Sequence, residues 1–105
     1  MSQRIARHGD LLVGGSTPST IIATAIKTQV NGIKVARIGD RTTNHLHFLV
    51  PCYGILVEGS ATVKAEGEGI CRVGDHTVCY NALTHTPTIF QCVISDGSPD
   101  TKAGG

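Results

Sequence analysis

The sequence predicts an all-β domain, a small pseudo-threefold cone built from three β-hairpins, and three observations carry that prediction. First, Gly occurs 13 times in 105 residues and aromatic residues make up only 4%, a composition that favours short strands and tight turns over helices. Second, one hairpin-like unit occurs twice inside the chain. Third, another copy of the unit is divided between the two ends of the chain. A domain of this size buries only about two thirds of its unfolded surface, so its core has little reserve.

The two internal copies align without a gap. Residues 23–40, ATAIKTQVNGIKVARIGD, match residues 58–75, EGSATVKAEGEGICRVGD, at a separation of 35 residues, from Asp40 to Asp75. Each copy has a strand, a turn centred on NG or EGEG, and a second strand that ends at Arg-x-Gly-Asp. Each copy is therefore predicted to be a β-hairpin, and the repeated Arg and Asp residues are expected to hold the turns.

The third copy is split between the chain ends. Residues 96–105, DGSPDTKAGG, match residues 58–67, and residues 4–10, RIARHGD, match residues 69–75. Pairing the two terminal strands completes a third hairpin, so the termini are predicted to meet at its turn. Three equivalent hairpins that each bury one face pack around a common axis, and the closed ring leaves no open strand edge. The alternative is an ordinary small β-sandwich with unrelated turns.

Charge and hydropathy exclude several classes of function. The formal net charge of +1 and the pI near 7.7 provide no basic surface for a phosphate backbone, and the aromatic residues are too few to stack bases. The N-terminal MSQRIARHGD has no apolar signal run, and no window approaches the ~20 apolar residues of a membrane span. We expect a protein that is made in the cytoplasm without a signal peptide and does not bind nucleic acid.

The chain has five histidines and four cysteines, none in a Cys-x-x-Cys pattern; the cysteines are Cys52, Cys71, Cys79 and Cys92. Without a signal peptide, free thiols or metal ligands are favoured over disulfides. Cys71 aligns with Ala36 and Ala6 in the other copies, so it is predicted to lie in the core. Cys92 is assigned to the core as well.

Two of the three segments between hairpins contain potential metal ligands. The segment 41–55 contains His45, His47 and Cys52, and the segment 76–93 contains His76, Cys79, His85 and Cys92. Tetrahedral zinc needs four nitrogen or sulfur ligands. His45 and His47 are separated by one residue, so in an extended strand they project from the same side and reach one ion.

The fourth ligand is chosen by counting back from the next hairpin. His47 lies 11 residues before Glu58, and His85 lies 11 residues before the equivalent Asp96. This count favours His85, while His76 and Cys79 stay open as alternates, since His76 can instead bond the preceding turn and Cys79 can be a small buried residue. The predicted ligands are His45, His47, Cys52 and His85.

The turns ARIGD, CRVGD and ARHGD, with GS opening the preceding strands in two copies, resemble the PAAR-repeat family, named for its Pro-Ala-Ala-Arg motif. The typical motif is VNGKPAARVGD, and residues 30–40, VNGIKVARIGD, are similar at most positions. The chain departs from it at Lys34-Val35 and at Gly69-Ile70, which replace Pro-Ala. The resemblance spans Arg4 to Gly105.

The resemblance implies a sharp β cone that caps the trimeric spike of a contractile injection machine through its base and sharpens the spike for membrane penetration. The machine would be a type VI secretion system, a phage tail or a related particle. Members of this family are similar in carrying a zinc ion near the apex, bound by three histidines and one cysteine, so the resemblance implies a structural zinc in this chain. Whether iron takes its place stays open from the sequence. Family members are not enzymes by themselves. We expect one domain over residues 1–105, a bare tip without a fused effector, any cargo being carried elsewhere, and only transient membrane contact. The alternative function is a small zinc-binding module or metalloenzyme unrelated to injection.

Overall fold

The computed structural model describes residues 3–104, and this part of the chain is all-β, which confirms the predicted fold class. Within that range, no helix is long and apolar enough to cross a membrane. The strands are β1 (Gln3–Arg4), β2 (Leu11–Val13), β3 (Ser19–Ile22), β4 (Gln29–Val30), β5 (Ile33–Lys34), β6 (Arg41–Thr42), β7 (His45–His47), β8 (Val50–Leu56), β9 (Lys64–Ala65), β10 (Glu68–Gly69), β11 (Thr77–Asn81), β12 (Val93–Ile94) and β13 (Lys102–Ala103).

Three antiparallel hairpins form as the repeat predicts. Strand β4 pairs with β5, β9 pairs with β10, and β13 pairs with β1, so the third hairpin does join the two ends of the chain. The equivalent cross-strand pairs are Gln29 with Lys34, Lys64 with Gly69, and Lys102 with Arg4. The sequence alignment therefore predicted both the hairpins and their register.

The two internal hairpins close through two-residue turns with left-handed backbone. Asn31 and Gly32 have φ of 56° and 76°, and Glu66 and Gly67 have φ of 51° and 91°. Positive φ at both central residues is the pattern of the type I′ turn, whose twist matches that of the flanking strands. The predicted meeting of the two termini falls on residues 1, 2 and 105, which lie outside the described residues.

A closed ring of three backbone hydrogen bonds lies on the pseudo-threefold axis. The Ala6 N–H donates to Cys71 O at 3.0 Å, the Cys71 N–H donates to Ala36 O at 2.9 Å, and the Ala36 N–H donates to Ala6 O at 2.9 Å. All three side chains are fully buried and small, because three strands converge there. The predicted ring of hairpins is confirmed, and Cys71 is a core residue as expected.

The Arg-x-Gly-Asp turns have a structural role in all three copies. In each, the Asp carboxylate accepts a hydrogen bond from the Arg backbone N–H three residues before it, which closes the turn. The three bonds join Arg7 to Asp10, Arg37 to Asp40 and Arg72 to Asp75, at 2.7, 2.9 and 2.8 Å. The Arg7 and Arg72 guanidinium groups bond the same carboxylates, whereas Arg37 donates to Thr24.

The segments between the hairpins form one sheet with the strand order β11-β8-β6-β3-β2-β12, and β7 pairs with β8. A bridge between His76 and Val93 joins the two edges, so the sheet wraps around the molecule. The molecule measures 36 × 24 × 23 Å. We call the part built from the three hairpins the hairpin end, and the part built from the turns at 14–18, 46–50 and 82–90 the loop end. Each end has its own cluster of buried apolar residues.

The Glu66 carboxylate joins the second hairpin turn to the chain that leads into the first hairpin. It accepts hydrogen bonds from the backbone N–H groups of Ile26, Lys27 and Thr28 at 3.0, 3.3 and 3.3 Å, and from the Thr28 hydroxyl at 3.1 Å. These bonds, the Ile26 N–H first among them, lower the pKa of Glu66 from its ordinary 4.5 to about 2. The ionised carboxylate therefore stabilises the folded hairpin end.

We expect Glu66→Gln to lower the melting temperature at neutral pH, and the difference from the parent protein to shrink as the pH falls from about 4.5 to about 2. The folded pKa lies below the unfolded one, so the stabilisation is present above the unfolded pKa and is lost on acidification. Thermal unfolding at several pH values measures this. Glu68→Gln on the same hairpin is the matched control, since that exposed carboxylate accepts no hydrogen bond from the described residues. A Glu66→Gln deficit that does not change with pH would contradict the assignment.

Candidate metal centre

Four buried side chains converge at the loop end: His45, His47, Cys79 and Cys92. Their ligand atoms all lie within 4.8 Å of one another. Both histidines are on β7, Cys79 is on β11, and Cys92 directly precedes β12. Three chain segments that are distant in sequence thus contribute to one group of nitrogen and sulfur atoms.

Strand alternation turns both histidines inward. In β7, His45 and His47 are buried and Leu46 between them is exposed, so the expectation that they share one side is confirmed. The strand pairs antiparallel with β8, with His45 opposite Cys52 and His47 opposite Val50. This pairing places the two imidazole rings over the interior of the loop end.

Two adjacent glycines make room for the ligands. A Cβ on Gly15 would lie 2.9 Å from the Leu46 carbonyl oxygen and 3.1 Å from the His45 ring. A Cβ on Gly14 would lie 2.9 Å from the Gln91 carbonyl oxygen and 3.2 Å from the Cα of Cys92, and Gly14 has a φ of 124° that other residues rarely adopt. The first inter-hairpin segment contains no ligand, but it lets the ligand-bearing segments approach closely.

The third inter-hairpin segment supplies both cysteines. On β11, Thr77 and Cys79 face inward by the same alternation. The returning chain runs beside this strand, since the Thr77 N–H donates to Cys92 O at 2.9 Å and the Cys79 N–H donates to Phe90 O at 3.1 Å. Cys79 and Cys92 therefore face each other across two neighbouring segments, with their Sγ atoms 4.0 Å apart.

The distances between the donor atoms suit one tetrahedral ion. The Nε2 atoms of His45 and His47 are 3.0 Å apart, Cys92 Sγ is 3.5 Å from each, and Cys79 Sγ is 3.7 Å from His45 Nε2. An ion bound at about 2.0 Å to nitrogen and 2.3 Å to sulfur needs tetrahedral edges of roughly 3.3 to 3.8 Å. Two thiolates also balance a divalent charge, so the filled site is neutral and tolerates burial. The donor set therefore fits zinc, and it fits ferrous iron in the same geometry.

Neighbouring groups orient the donors. The His45 Nδ1 lies 3.0 Å from Thr43 O, and donation of its proton there leaves Nε2 free to bind a metal. The His47 ring stacks on Phe90 with centroids 4.7 Å apart. The Thr77 hydroxyl oxygen accepts the Cys92 N–H at 3.1 Å and lies 3.6 Å from Cys79 Sγ, within hydrogen-bonding distance of that sulfur.

The electrostatics already favour a negative charge in this cluster. Hydrogen bonding from the Cys92 thiol, followed by His45, Thr77 and His47, lowers the pKa of Cys79 to about 4 against the opposing effect of burial. The same interaction with Cys79 raises the pKa of Cys92. Interaction with Cys79 also raises the pKa of His45. The ionised Cys79 thiolate is surrounded by hydrogen-bond donors, and a bound cation would stabilise its negative charge further.

A comparison with known protein families identifies the family of this chain. The sequence model of the PAAR motif family matches residues 14–84, more than half of the chain. The chain belongs to the PAAR motif family. No curated protein matches it. The match covers two complete inter-hairpin turns and extends over three of the four clustered residues, His45, His47 and Cys79.

In this PAAR protein, two of the predicted ligands lie outside the cluster. Cys52 is fully buried in the apolar core of the loop end, where burial raises the pKa of its thiol. His85 is exposed in the turn after β11, and its Nδ1 lies 3.2 Å from the Tyr53 hydroxyl. Of the two alternates, Cys79 is in the cluster, whereas His76 bonds the Glu58 carboxylate at 2.5 Å.

The count of 11 residues does not bring His85 into the cluster, because the two segments fold differently. The second segment reverses at Phe48 and Leu49 directly after β7, whereas β11 continues to Asn81 before its turn. His85 consequently lies beyond the strand that carries the third-segment ligand. Strand alternation along β11 is visible in the sequence and would have favoured Cys79 as a ligand. The sequence holds no such signal for Cys92, because only the hydrogen bonds between its segment and β11 bring its thiol to the cluster. The ligand identities stay a prediction, now with Cys79 and Cys92 in place of Cys52 and His85.

We expect one tightly bound zinc per chain, lost in Cys92→Ser and in His47→Ala, with a fall in melting temperature of at least about 10 °C because the metal holds the loop end together. The matched controls are Cys52→Ser and His85→Ala, a buried thiol and a histidine outside the cluster, which should keep the metal. Elemental analysis and thermal unfolding measure both effects. Loss of zinc in the control pair with retention in the first pair would overturn the assignment.

Cobalt substitution separates two thiolate ligands from one. In excess cobalt(II), which keeps even a weakened site occupied, we expect the protein to show thiolate-to-metal charge-transfer absorption that falls by about half in Cys79→Ser and in Cys92→Ser, since each removes one of two sulfur ligands. Visible absorption spectroscopy of the substituted protein measures this band. An unchanged band in either variant, or its complete loss in one of them, would mean that only one cysteine binds.

Proposed function

We propose that this protein is the metal-stabilised conical tip that caps the trimeric spike of a contractile injection machine. The observation that carries the proposal is the closed ring of hydrogen bonds between Ala6, Ala36 and Cys71, which makes one chain pseudo-threefold. A single chain that caps a trimer must present three similar surfaces to three identical subunits. Membership in the PAAR motif family supports a structural spike-tip role in place of catalysis.

The hairpin end is the surface that suits the spike. Each of its three hairpins has the same register, so each offers an equivalent backbone ladder to one subunit. The equivalent cross-strand pairs carry at least one cation in every hairpin; the cations are Lys34, Lys64, Lys102 and Arg4. Positive charge on all three hairpins would both orient and hold a partner with acidic groups around its rim.

The metal centre fits a structural role better than a catalytic one. Four protein donors complete a tetrahedron, whereas a catalytic zinc keeps one position for water or substrate. All four donors are buried, and they join β7, β11 and the segment before β12. This geometry favours a clip that keeps the tip rigid over the alternative of a metalloenzyme.

The setting of the tip follows from this role. We place the protein at the leading end of a type VI secretion particle or a phage tail, with the loop end forward and the hairpin end on the spike. It would be made in the cytoplasm and leave the cell with the particle, and any effector would travel on the spike or on another tip protein. Zinc is the proposed metal.

We expect a complex of one chain with three spike subunits when the protein is mixed with the trimeric valine-glycine-repeat or phage central spike protein encoded in the same genome. Native mass spectrometry measures the stoichiometry. The triple variant Lys34→Glu, Lys64→Glu and Lys102→Glu should weaken binding at least about tenfold through charge repulsion, while the exposed Lys27→Glu should not. Absence of a one-to-three complex with the unmodified protein would reject the spike-tip function.

A further inference from the structure

Two thiols lie next to each other at the loop end. The Sγ atoms of Cys79 and Cys92 are 4.0 Å apart, and all four cysteines of the chain are free thiols. A disulfide has an S–S length of about 2.05 Å, so these two sulfur atoms need to approach by about 2 Å to bond. The site with one cysteine that the family resemblance implies could not form such a bond within itself, so the second sulfur gives this chain a reaction of its own.

The backbone on one side of the pair is free to make this approach. Cys79 lies within β11, which pairs with β8 along its whole length, from Thr77 to Asn81. Cys92 ends the segment 82–92, which joins β11 to β12 and carries one isolated bridge, between Tyr80 and Pro87. A segment outside a regular ladder opens more readily than a strand that is paired along its length. The Cys92 side can therefore move while β11 stays in place.

Burial limits which oxidant reaches the pair. The exposed fraction is 0% for Cys79 and 1% for Cys92, so a bulky disulfide such as oxidised glutathione has no access to either sulfur in the folded chain. Hydrogen peroxide is close to water in size and oxidises thiolates to sulfenic acids. A sulfenic acid with a second thiol beside it condenses to a disulfide.

We propose that Cys79 and Cys92 are a redox-active pair, which hydrogen peroxide converts to an intramolecular disulfide when no metal is bound. In the first step one thiolate attacks a peroxide oxygen, the O–O bond breaks, and the hydroxide that leaves takes up the thiol proton. In the second step the other thiolate attacks the sulfenic sulfur, the S–O bond breaks, and a second water forms in the same way. Two thiols and one peroxide thus give one disulfide and two waters.

The disulfide and a bound metal exclude each other. A metal ligand is a thiolate, and a sulfur atom in a disulfide is no longer one. A metal on Cys79 and Cys92 should therefore protect both from peroxide, and the disulfide should prevent metal uptake. Either state links β11 to the segment 82–92, so the disulfide would keep the loop end joined without metal. The inference goes beyond spike capping and rests on the geometry of the candidate metal centre.

The test treats metal-free protein, prepared with a chelator, with an equimolar amount of hydrogen peroxide. We expect the intact mass to fall by about 2 Da, through loss of two hydrogen atoms. Chymotrypsin cleaves after Tyr80 and Phe90, which lie between the two cysteines, so mass spectrometry of the digest should show Cys79 and Cys92 in two linked peptides. Dithiothreitol should restore both the mass and the uptake of zinc.

Two comparisons accompany this measurement. Zinc-loaded protein should oxidise at least about tenfold more slowly, because both sulfurs are then occupied. The oxidised metal-free protein should melt at least about 5 °C above the reduced metal-free protein, since the disulfide restricts the unfolded chain.

The variants Cys79→Ser and Cys92→Ser should give no cross-link, and the remaining thiol should gain about 32 Da as a sulfinic acid. Cys52→Ser is the matched control, a buried thiol outside the cluster, and it should form the cross-link as the parent does. Sulfinic acid without a cross-link in the metal-free parent, or a disulfide that includes Cys52, would overturn the proposal.

The same oxidation in denaturant shows whether the fold selects the pair. In an unfolded chain the shortest loop closes most readily, which favours Cys71 with Cys79 and gives a mixture of pairings. The folded chain should instead give Cys79 with Cys92 alone, since Cys71 lies on the pseudo-threefold axis. The same mixture with and without denaturant would reject the proposal, including the case in which metal removal unfolds the chain.

The inference and the assignments before it fail separately. A chain that forms the disulfide but binds no zinc would reject the metal centre and keep the redox pair. A chain that binds zinc but forms no cross-link after metal removal would do the reverse. The one-to-three complex is measured on zinc-loaded protein through the hairpin end, so its absence would reject the spike-tip function alone.

Discussion

The ring of backbone hydrogen bonds between Ala6, Ala36 and Cys71 is the constraint on which the rest of the molecule depends. Each strand gives one N–H and one C=O to its neighbours, so no copy is complete without the other two. The bonds lie in a fully buried position, where an unpaired backbone group costs free energy, and they draw the side chains so close that only Ala or Cys is found there. The hairpins and the inter-hairpin segments leave this ring in opposite directions.

The two ends solve the problem of a small core in different ways. The hairpin end repeats one unit three times, and side chains such as Glu66 and Asn31 join adjacent copies through hydrogen bonds. The loop end has no such symmetry, because its three segments differ in length and in residues. There the His and Cys cluster connects the segments, and a single ion supplies the cross-links that apolar packing cannot provide in so few residues.

The sequence was most informative where the structure is repetitive. The alignment of residues 23–40 with residues 58–75 and with the two chain ends specified three hairpins and their register, because equivalent residues face equivalent neighbours. His45 and His47 were also predictable, since alternation within one strand is a local rule. Cys79 and Cys92 were not among the four predicted ligands. Their thiols meet because the segment that holds Cys92 pairs with β11 across a turn, and no repeat in the sequence specifies the length of that turn.

The sequence by itself thus determined the all-β class, the ring of three hairpins, the family and half of the candidate metal ligands. Only the tertiary structure decided which cysteines join the histidines, and only it brought the two thiols within 4.0 Å of each other. The physical reason is the range of the interactions. Repeats and strand alternation are local and leave a periodic trace, whereas the loop end is held by contacts between segments that have no sequence periodicity in common.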